Sequence, residues 1–462
     1  MKQLTLQQIC EWTEGELFHG DPAGLVAAVS TDTRTLSADA LFVALQGEKY
    51  DAHDFLDQAF DAGAAAALVS RESAPAAAAK PMILVADTLV ALQRLASRYR
   101  DTLLPFVAVT VTGSNGKTST KDFLSSILSR RFEVNATKGN LNNHIGLPLT
   151  VLATDARHSA GVWEIGMNHV GEIAPLARIA KPDLAVITNI GTAHIEFMGS
   201  RAAIAQEKGK LAEAVPDTGC VVLNSDDNMT PDIALRTRAR VLRAGFSGGD
   251  VTAANVSGTG FELVVPGTQM VRGRIPVQLS VPGRHMINNA LLAAATGLFL
   301  GLSLNEIKEG LESARIHGGR LERKIAAGLH FIDDSYNANP DSMKAALATL
   351  ATLPCAGRRL AVLGRMGELG SHSKEGHEAV GRAARLEEID FLLTVGNGDA
   401  RLIYLAFDDP ARSRHFKNHA GAANFLQEKA TRDDLILVKG SRAAGMEKVI
   451  GLIASSQTTS AA

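Results

Sequence analysis

Cysteine is scarce in this sequence, and long apolar runs and a sizeable net charge are missing from it. The three cysteines, Cys10, Cys220 and Cys355, lie far apart and match no metal-binding spacing. We therefore expect reduced thiols in a cytoplasmic protein rather than disulfides or a zinc site. The longest apolar stretch, LLAAATGLFLGL from Leu291, covers only about 12 residues, which is too short to span a membrane and is typical of a buried helix. The first residues, MKQLTLQQICEWTEGEL, are polar and acidic, so we expect no signal peptide.

The charges nearly cancel, since 47 Lys and Arg residues stand against 49 Asp and Glu residues and give a formal net charge of -2. Bulk charge therefore gives no reason to expect a nucleic-acid partner or a membrane surface as partner. The chain has 462 residues, which exceeds one typical hydrophobic core, so we expect two to four domains. No repeat of fixed period is visible.

Short apolar runs alternate with helix-length amphipathic stretches. The runs FVAVTV, DLAVITNI, CVVLN, RLAVLG, FLLTVG and DLILVKG read as buried strands at 106–111, 183–190, 220–224, 359–364, 391–396 and 434–440. This alternation predicts an α/β protein with mostly parallel sheets, whose ligands lie at the carboxyl ends of the strands. We place three domains at 1–104, 105–316 and 317–462.

The run VAVTVTGSNGKTST resembles a phosphate-binding loop with one departure. A strand is followed by two glycines, Lys117, Thr118 and a helix-like stretch, so backbone N–H groups can face an anion at a helix N-terminus. The usual loop has an earlier glycine, but that position holds Val111. An accidental tight turn is the alternative. The predicted nucleotide contacts are Gly113, Ser114, Asn115, Gly116, Lys117, Thr118 and Ser119.

Other polar residues follow predicted strands. Glu164 ends an apolar strand, where a carboxylate can hold Mg²⁺, unless it forms a structural salt bridge. His194 follows the next strand and is either a metal ligand or a structural histidine. Lys208 and Lys210 alone read as surface lysines. Asn288 or Asn289 can cap a helix, and DSYNANP can be a plain turn.

Taken together, these motifs resemble the Mur ligase family of ATP-dependent enzymes that form amide bonds. The loop TGSNGKTS is similar to that family's shortened TGTNGKT loop, and NALLAAA, HGGRLE and DDSYNANPDSM match in order and spacing across the chain. The segments STDTRTLSADALFVALQGEKYDAHDF and KGNLNNHIGLPLT are similar to the branch that joins D-alanyl-D-alanine to UDP-N-acetylmuramoyl-tripeptide. A sister branch that adds diaminopimelate or lysine has an Asp-Asn-Pro-Arg motif, but NANP stands here.

The resemblance implies a fold, a reaction and a set of roles. The fold is three α/β domains: an N-terminal domain for the UDP end of the substrate, a central phosphate-loop domain with a mostly parallel sheet for ATP, and a Rossmann-like C-terminal domain. The reaction passes through an acyl phosphate and contributes to peptidoglycan precursor synthesis in the cytoplasm, by an enzyme that we expect to be monomeric. Two Mg²⁺ ions are implied, with Thr118, Glu164, His194 and a carbamylated Lys208 as ligands, and the implied catalytic residues are Lys117, Glu164, His194 and Lys208. The implied nucleotide contacts outside the loop are Asn289, Arg320, Asp334, Tyr336 and Asn337, and the implied substrate contacts are Thr33, Arg34, Asp51, His53, Asn140, Asn142, Asn143, Ser441 and Arg442.

One residue departs from the family pattern. The family motif resembles V-L-G-D-M-x-E-L-G, whereas this chain reads VLGRMGELG, with Arg365 in place of the usual Asp. If Arg365 faces the cleft, it alters affinity for the incoming dipeptide; if it points to solvent, the change is silent. Three other functions stay open at this point: a folylpolyglutamate synthase-like ligase, a phosphate-loop switch or transport ATPase, and a nucleotide-binding scaffold with weak catalysis.

Overall fold

The structure is a computed structural model that describes residues 1–73, 80–267, 272–316 and 318–459, with the backbone alone for 456–459. The expected first and last residues of the third domain, 317 and 462, lie outside these ranges. The sheets fall in three successive parts of the chain. Most of the predicted buried strands are found within one residue of the expected bounds, and the prediction of an α/β protein with largely parallel sheets is confirmed. No described helix has both the length and the apolarity needed to cross a membrane.

The N-terminal part carries a five-stranded sheet of order β2-β7-β6-β5-β4 and a small β1-β3 pair. Its β2 edge strand is antiparallel, and the other pairings in the five-stranded sheet are parallel. The elements are β1 (Leu4–Thr5), α1 (Leu6–Thr13), β2 (Glu16–Phe18), β3 (Leu25–Val26), β4 (Ala28–Ser30), β5 (Ala40–Val43), α2 (Leu56–Asp61), β6 (Ala66–Ser70), β7 (Met82–Val85) and α3 (Thr88–Asp101).

The central part is a six-stranded parallel sheet of order β13-β12-β11-β8-β10-β9, followed by a three-stranded antiparallel sheet, β14-β15-β16. The elements are β8 (Val107–Thr112), α4 (Lys117–Leu128), β9 (Val134–Ala136), α5 (Gly146–Leu152), β10 (Ala160–Glu164), α6 (Ile173–Ala180), β11 (Leu184–Ile187), α7 (Ile195–Met198), α8 (Arg201–Glu213), β12 (Cys220–Asn224), α9 (Thr230–Ala234), β13 (Arg240–Ala244), β14 (Thr252–Ser257), β15 (Gly260–Val265), β16 (Gly273–Gln278), α10 (Arg284–Phe299) and α11 (Leu304–Ser313).

The position of β8 in this sheet decides where the ligands meet. It lies between β10 and β11, so the loops after these three strands open side by side at one edge. The apolar run from Leu291 begins in α10 and passes its end at Phe299, and residues 291–298 are buried, as the sequence predicts.

The C-terminal part is a second six-stranded sheet, of order β17-β18-β22-β19-β20-β21, with only the edge strand β17 antiparallel. The elements are β17 (Glu322–Ala326), β18 (Leu329–Asp334), α12 (Pro340–Thr352), β19 (Arg359–Gly364), α13 (Ser373–Leu386), β20 (Phe391–Val395), α14 (Ala400–Phe407), β21 (Ser413–Phe416), α15 (His419–Lys429), β22 (Leu435–Lys439) and α16 (Glu447–Thr459).

The N-terminal and central parts are joined through buried side chains. Tyr99 donates its hydroxyl hydrogen to the carbonyl oxygen of Thr154 at 2.5 Å. Arg100, also buried, donates to the carbonyl oxygen of Ala180 at 3.1 Å and pairs with Asp183 at 3.2 Å. Removing either partner of such a buried contact leaves a polar group unpaired, so this junction resists opening.

Candidate active site

A cavity of ≈ 1360 Å³ lies where the central sheet meets the C-terminal part. Its lining residues come from segments that are far apart in the sequence. They belong to both the central and the C-terminal part. The predicted site residues that line it are Ser114, Asn115, Gly116, Lys117, Thr118, Ser119, Asn140, Asn142, Asn143, Glu164, His194, Asn289, Arg320, Asp334, Tyr336, Asn337, Ser441 and Arg442.

Two glycines give the phosphate loop its path. At Gly113, a Cβ atom would overlap the Thr188 hydroxyl oxygen, so no other residue fits there without displacing Thr188. Gly116 has a φ of 80° and directly precedes α4, where a Cβ atom would collide with the side-chain amide of Asn289. The loop therefore turns tightly into the helix N-terminus, which is the geometry that binds phosphate.

The loop after β11 holds the phosphate loop in place. Asn189 accepts a hydrogen bond from the Asn115 N–H at 2.9 Å and donates one to the Asn115 carbonyl oxygen at 3.1 Å. The Ser114 hydroxyl accepts from the Gly191 N–H at 2.9 Å. Since Val111 lies within β8, these contacts support the loop without an earlier glycine.

Lys117 begins α4 and donates to the carbonyl oxygen of Gly113 at 2.8 Å. Burial lowers the pKa of its ammonium, while the nearby Glu164 carboxylate raises it. Because of its bond to Gly113, the Lys117 ammonium lies against the phosphate loop. A phosphate oxygen bound there would replace the Gly113 carbonyl oxygen as its partner.

Glu164 is the last residue of β10, and its side chain is buried. Its Oε2 lies 3.5 Å from Nδ2 of Asn142, but its Oε1 is buried with no hydrogen-bond partner among the described residues. A buried carboxylate oxygen without a partner is costly, and a cation would satisfy it. The site therefore fits Mg²⁺ beside the phosphate loop.

Lys208 lies in α8 and is buried, with only 1% of its surface exposed, so the interpretation of a surface lysine is wrong. Its pKa lies well below the ordinary value, first because burial removes water from the ammonium and then because Lys117 lies nearby. A neutral amine is the form of lysine that reacts with carbon dioxide. The environment therefore fits carbamylation.

His194 precedes α7 with a φ of 61° and faces the cavity. Its Nδ1 lies 2.6 Å from Oε2 of Glu368, a residue of the C-terminal part. This contact holds the pKa of Glu368 below its ordinary value. Within the described residues no three His, Cys, Asp or Glu side chains form a metal-binding group, so any Mg²⁺ here also needs oxygen ligands from other sources, such as phosphate or water.

The C-terminal wall of the cavity is built around Arg320. Its Nη2 donates to the Thr118 hydroxyl at 3.0 Å, and its guanidinium lies 3.8 Å from the centre of the Tyr336 ring. Asp334 pairs with the buried Lys439 at 2.6 Å. The same lysine donates to the carbonyl oxygen of Asn337 at 3.0 Å, so the DSYNANP segment is fixed from behind rather than being a free turn.

Ser441 and Arg442 follow β22 at the same wall. The Ser441 hydroxyl oxygen is buried with no hydrogen-bond partner among the described residues. The Arg442 N–H donates to Oδ1 of Asn337 at 3.4 Å, and its guanidinium pairs with Glu447 at 3.5 Å.

Arg365 lines the cavity with an exposed side chain, so it faces the cleft. Its carbonyl oxygen accepts from the Ser441 N–H at 2.9 Å. The next residue, Met366, donates its N–H to Nε2 of the fully buried His377 at 2.9 Å, which fixes the loop after β19.

The remaining predicted substrate contacts divide into two groups. Asn142 lies beside Glu164, and Asn143 accepts from the Gly146 N–H at 2.9 Å at the start of α5. The residues predicted near the uridine diphosphate lie on the N-terminal part outside this cavity. They are Thr33, Arg34, Asp51 and His53.

In this N-terminal group, Arg34 and His53 each lie close to an aspartate carboxylate. Arg34 pairs with Asp32 at 2.7 Å and lowers the pKa of that carboxyl to about 2. His53 lies 2.6 Å from Asp51 through Nδ1, and its Nε2 accepts from the Ser70 N–H at 2.9 Å.

The interpretation of Asn288 or Asn289 as a helix cap is wrong. The helix α10 begins at Arg284, so both lie inside its second turn. Asn289 packs on the phosphate loop at Gly116, and Asn288 donates to Asn224 at 3.2 Å and to Asp226 at 3.1 Å.

Three residues contribute to the site although the sequence assigns them no role. Asn189 follows a predicted strand, Glu368 lies in the same motif as Arg365, and Asp341 follows DSYNANP. Asp341 accepts from both the N–H and the hydroxyl of Thr192 at 2.9 Å, across the junction of the two parts. Only the position of Asn189 after an apolar strand offers a signal; the other two depend on how the parts meet.

The whole chain is similar to known proteins. Family models match in three places: Mur ligase family, catalytic domain, at residues 25–100; Mur ligase middle domain at 111–297; and Mur ligase, glutamate ligase domain, at 319–442. The UDP-N-acetylmuramoyl-tripeptide–D-alanyl-D-alanine ligase of Escherichia coli (strain K12) is 39% identical, over 97% of this chain and 98% of its own.

Solved structures give the same result. The crystal structure of MurF from Acinetobacter baumannii superposes with a TM-score of 0.89 at 33% identity, over 98% of this chain and 99% of its own. MurF from Thermotoga maritima in complex with ADP superposes with a TM-score of 0.82 at 27% identity, over 94% and 98%. The chain belongs to the Mur ligase family and, within it, to the MurF group.

Proposed function

We propose that this protein uses ATP to join D-alanyl-D-alanine to UDP-N-acetylmuramoyl-tripeptide, giving the pentapeptide precursor of peptidoglycan, ADP and phosphate. The observation that carries the proposal is the shared cavity: the phosphate loop, Glu164 and the DSYNANP segment line one space of ≈ 1360 Å³. The MurF relatives support the choice of substrates. We further propose that the enzyme acts as a cytoplasmic monomer with domains bounded at 1–104, 105–316 and 317–462.

The reaction has two steps. The substrate carboxylate is a poor acyl donor, so it first takes the γ-phosphoryl group of ATP and becomes an acyl phosphate. The amine of D-alanyl-D-alanine then attacks the carbonyl carbon, the bond to the phosphate oxygen breaks, and the amine loses a proton. Both steps bring anions together, and Lys117 and Arg320 face the space where this charge accumulates.

Bound Mg²⁺ would neutralise phosphate charge in this cavity. We propose two ions, held by Thr118 and Glu164 in one case and by His194 and carbamylated Lys208 in the other. The partnerless Oε1 of Glu164 and the lowered pKa of Lys208 support these assignments. Because His194 is assigned to metal, we do not propose it as the general base for the amine.

The other roles follow the geometry. We propose that Asn289, Asp334, Tyr336 and Asn337 contact the nucleoside of ATP and that Asn140, Asn142 and Asn143 contact the sugar and peptide. Thr33, Arg34, Asp51 and His53 would bind the uridine diphosphate, and Ser441 and Arg442 the carboxylate of the dipeptide.

Phosphate release from ATP tests the function. We expect release to require both UDP-N-acetylmuramoyl-tripeptide and D-alanyl-D-alanine, and the pentapeptide to appear by mass spectrometry. Phosphate release that does not depend on either substrate would show a general ATPase. Phosphate release with folate substrates would show a different ligase. Tripeptides that end in lysine and in diaminopimelate should be compared as substrates.

Carbamylation has a separate test. Protein equilibrated with ¹³C-bicarbonate should show a carbamate signal by ¹³C NMR that is lost in Lys208→Met and kept in Lys210→Met. A signal that survives in Lys208→Met would remove the assignment.

A further inference from the structure

We propose that Glu368 is a positioning residue for His194, so that the C-terminal domain completes the second metal site when it closes on the central domain. The inference rests on the proposed function, which assigns His194 to a second Mg²⁺. In this arrangement the central domain supplies the metal ligand His194. The C-terminal domain supplies Glu368, which fixes the orientation of the imidazole ring.

The contact between the two side chains carries the inference. Oε2 of Glu368 lies 2.6 Å from Nδ1 of His194. The carboxylate oxygen is close to Nδ1 but lies off the direction of the ring N–H, so the two groups face each other without forming an aligned hydrogen bond. The Glu368 side chain is 48% exposed, and a small rotation of it would bring the carboxylate into line with the ring N–H.

The backbone on both sides holds this contact. Glu196 donates its N–H to the carbonyl oxygen of Glu368 at 3.3 Å, and Gly370 packs against Glu196. Both His194 and Glu368 have positive φ values, 61° and 58°, in a region that residues other than glycine seldom adopt. Two residues with such unusual backbone conformations face each other here. This indicates that the fold specifies the contact and that it is not an incidental one between surface side chains.

The chemistry of histidine ligands explains what the contact does. A metal-bound imidazole usually donates its other ring N–H to a carboxylate, which fixes the tautomer and the orientation of the ring. With Nδ1 facing Glu368, Nε2 keeps its lone pair, and His194 lines the cavity. Opening of the C-terminal domain would remove this carboxylate and leave His194 without its orienting partner.

Binding of Mn²⁺ in the presence of β,γ-methylene-ATP tests the proposal, with bound and free Mn²⁺ measured by EPR. We expect two ions on the wild-type protein. Glu368→Ala should weaken the second ion about 10- to 100-fold and leave the first unchanged. Glu368→Gln should lose less, because its amide oxygen still accepts the imidazole N–H. Glu375→Gln, the same change at an exposed residue of α13, should match the wild type.

Two further measurements separate positioning from simple domain contact. In a His194→Ala background, Glu368→Ala should cause no additional loss of Mn²⁺ affinity. Small-angle scattering should show a Mn²⁺-dependent contraction of the wild type that Glu368→Ala lacks at the same Mn²⁺ concentration.

The possible results separate a positioning role of Glu368 from the proposed ligase function. Two ions bound with wild-type affinities in Glu368→Ala would overturn the inference alone. A single ion on the wild-type protein would overturn both the second metal and the inference. In either case, phosphate release that depends on D-alanyl-D-alanine would leave the ligase function standing.

Discussion

Arg320 donates a hydrogen bond from Nη2 to the Thr118 hydroxyl at 3.0 Å, although 202 residues separate them in the chain. This contact joins the C-terminal domain to the phosphate loop, and the Tyr336 ring packs against the same guanidinium. Arg320 thus already lies at the mouth of the phosphate site, where the transferred group would pass.

Loss of Arg320 should therefore damage phosphoryl transfer. We expect Arg320→Ala to lower kcat about 10²- to 10³-fold, since it removes a donor aimed at developing charge. Arg320→Lys should recover only part of this loss, because an ammonium lacks the planar fork of a guanidinium. Phosphate release measures the effect. Arg323→Ala, an exposed arginine on β17, is the control; an equal loss there would show that the domain, not the site, was damaged.

Gly113→Ala should weaken nucleotide binding. The new Cβ atom would overlap the Thr188 hydroxyl oxygen, so the loop or Thr188 must shift. Such overpacking costs about 1–3 kcal/mol, or roughly 5- to 150-fold in ATP affinity if the strain falls on the loop. Gly451→Ala in α16 meets no atom within 4 Å and should be neutral or slightly stabilising. Calorimetric titration with ATP checks both; unchanged affinity in Gly113→Ala would contradict the loop geometry.

His377 should make the protein less stable in acid. Its Nε2 accepts from Met366 and its Nδ1 contacts the Ser373 carbonyl oxygen at 2.7 Å, and burial lowers its pKa. Between this lowered value and the unfolded value of about 6.5, the unfolded chain binds a proton that the folded protein does not. Stability is therefore complete above that range and falls as the pH drops through it.

The midpoint of thermal unfolding measures this dependence. We expect the decrease between about pH 6.5 and pH 5 to be smaller in His377→Ala, and the midpoint of that variant to be lower at pH 7.5. His372→Ala, which changes an exposed histidine nearby, should keep the wild-type slope. An unchanged slope in His377→Ala would assign the acid sensitivity to another group.

Arg365 faces the cavity and should affect the acceptor. The dipeptide arrives with an ammonium group, which a guanidinium repels and a carboxylate attracts. We expect Arg365→Asp to lower the KM for D-alanyl-D-alanine, by at most about fivefold because exposed charge pairs are worth about 0.2–1 kcal/mol. Arg365→Ala should shift KM in the same direction by less, and the KM for ATP should change little. Unchanged kinetics in Arg365→Asp would mean that the residue is silent.

Features that depend on a local residue pattern can be predicted from the sequence alone. The strands CVVLN and RLAVLG are predicted at their observed bounds, because a continuous apolar run between polar turns leaves little choice of conformation. The position of Glu164 at the end of a strand is predicted for the same reason, since it is a charged residue that ends an apolar run.

Features that depend on tertiary packing are not visible in the sequence. Lys208 reads as a surface residue because its helix has no strong apolar face, and only the fold shows that it is buried. Asn288 or Asn289 reads as a helix cap because the sequence does not show where α10 starts. The structure places that start at Arg284, after Gly283.

Contacts between domains are also beyond the reach of the sequence. Glu368 and His194 are separated by many residues and lie in different domains, and no local pattern relates them. The same holds for Asp341 and Thr192. Such pairs arise only once the C-terminal domain has docked on the central one.

The place of β8 between β10 and β11 has an evolutionary consequence. The groups proposed to handle phosphate largely follow neighbouring strands of one rigid sheet, whereas the groups proposed to face the uridine diphosphate and the dipeptide lie on the outer domains. Substitutions in the outer domains can therefore change which molecules are joined while the phosphate-handling centre stays the same. A lineage built on this plan can diversify its substrates without reinventing its source of chemical energy.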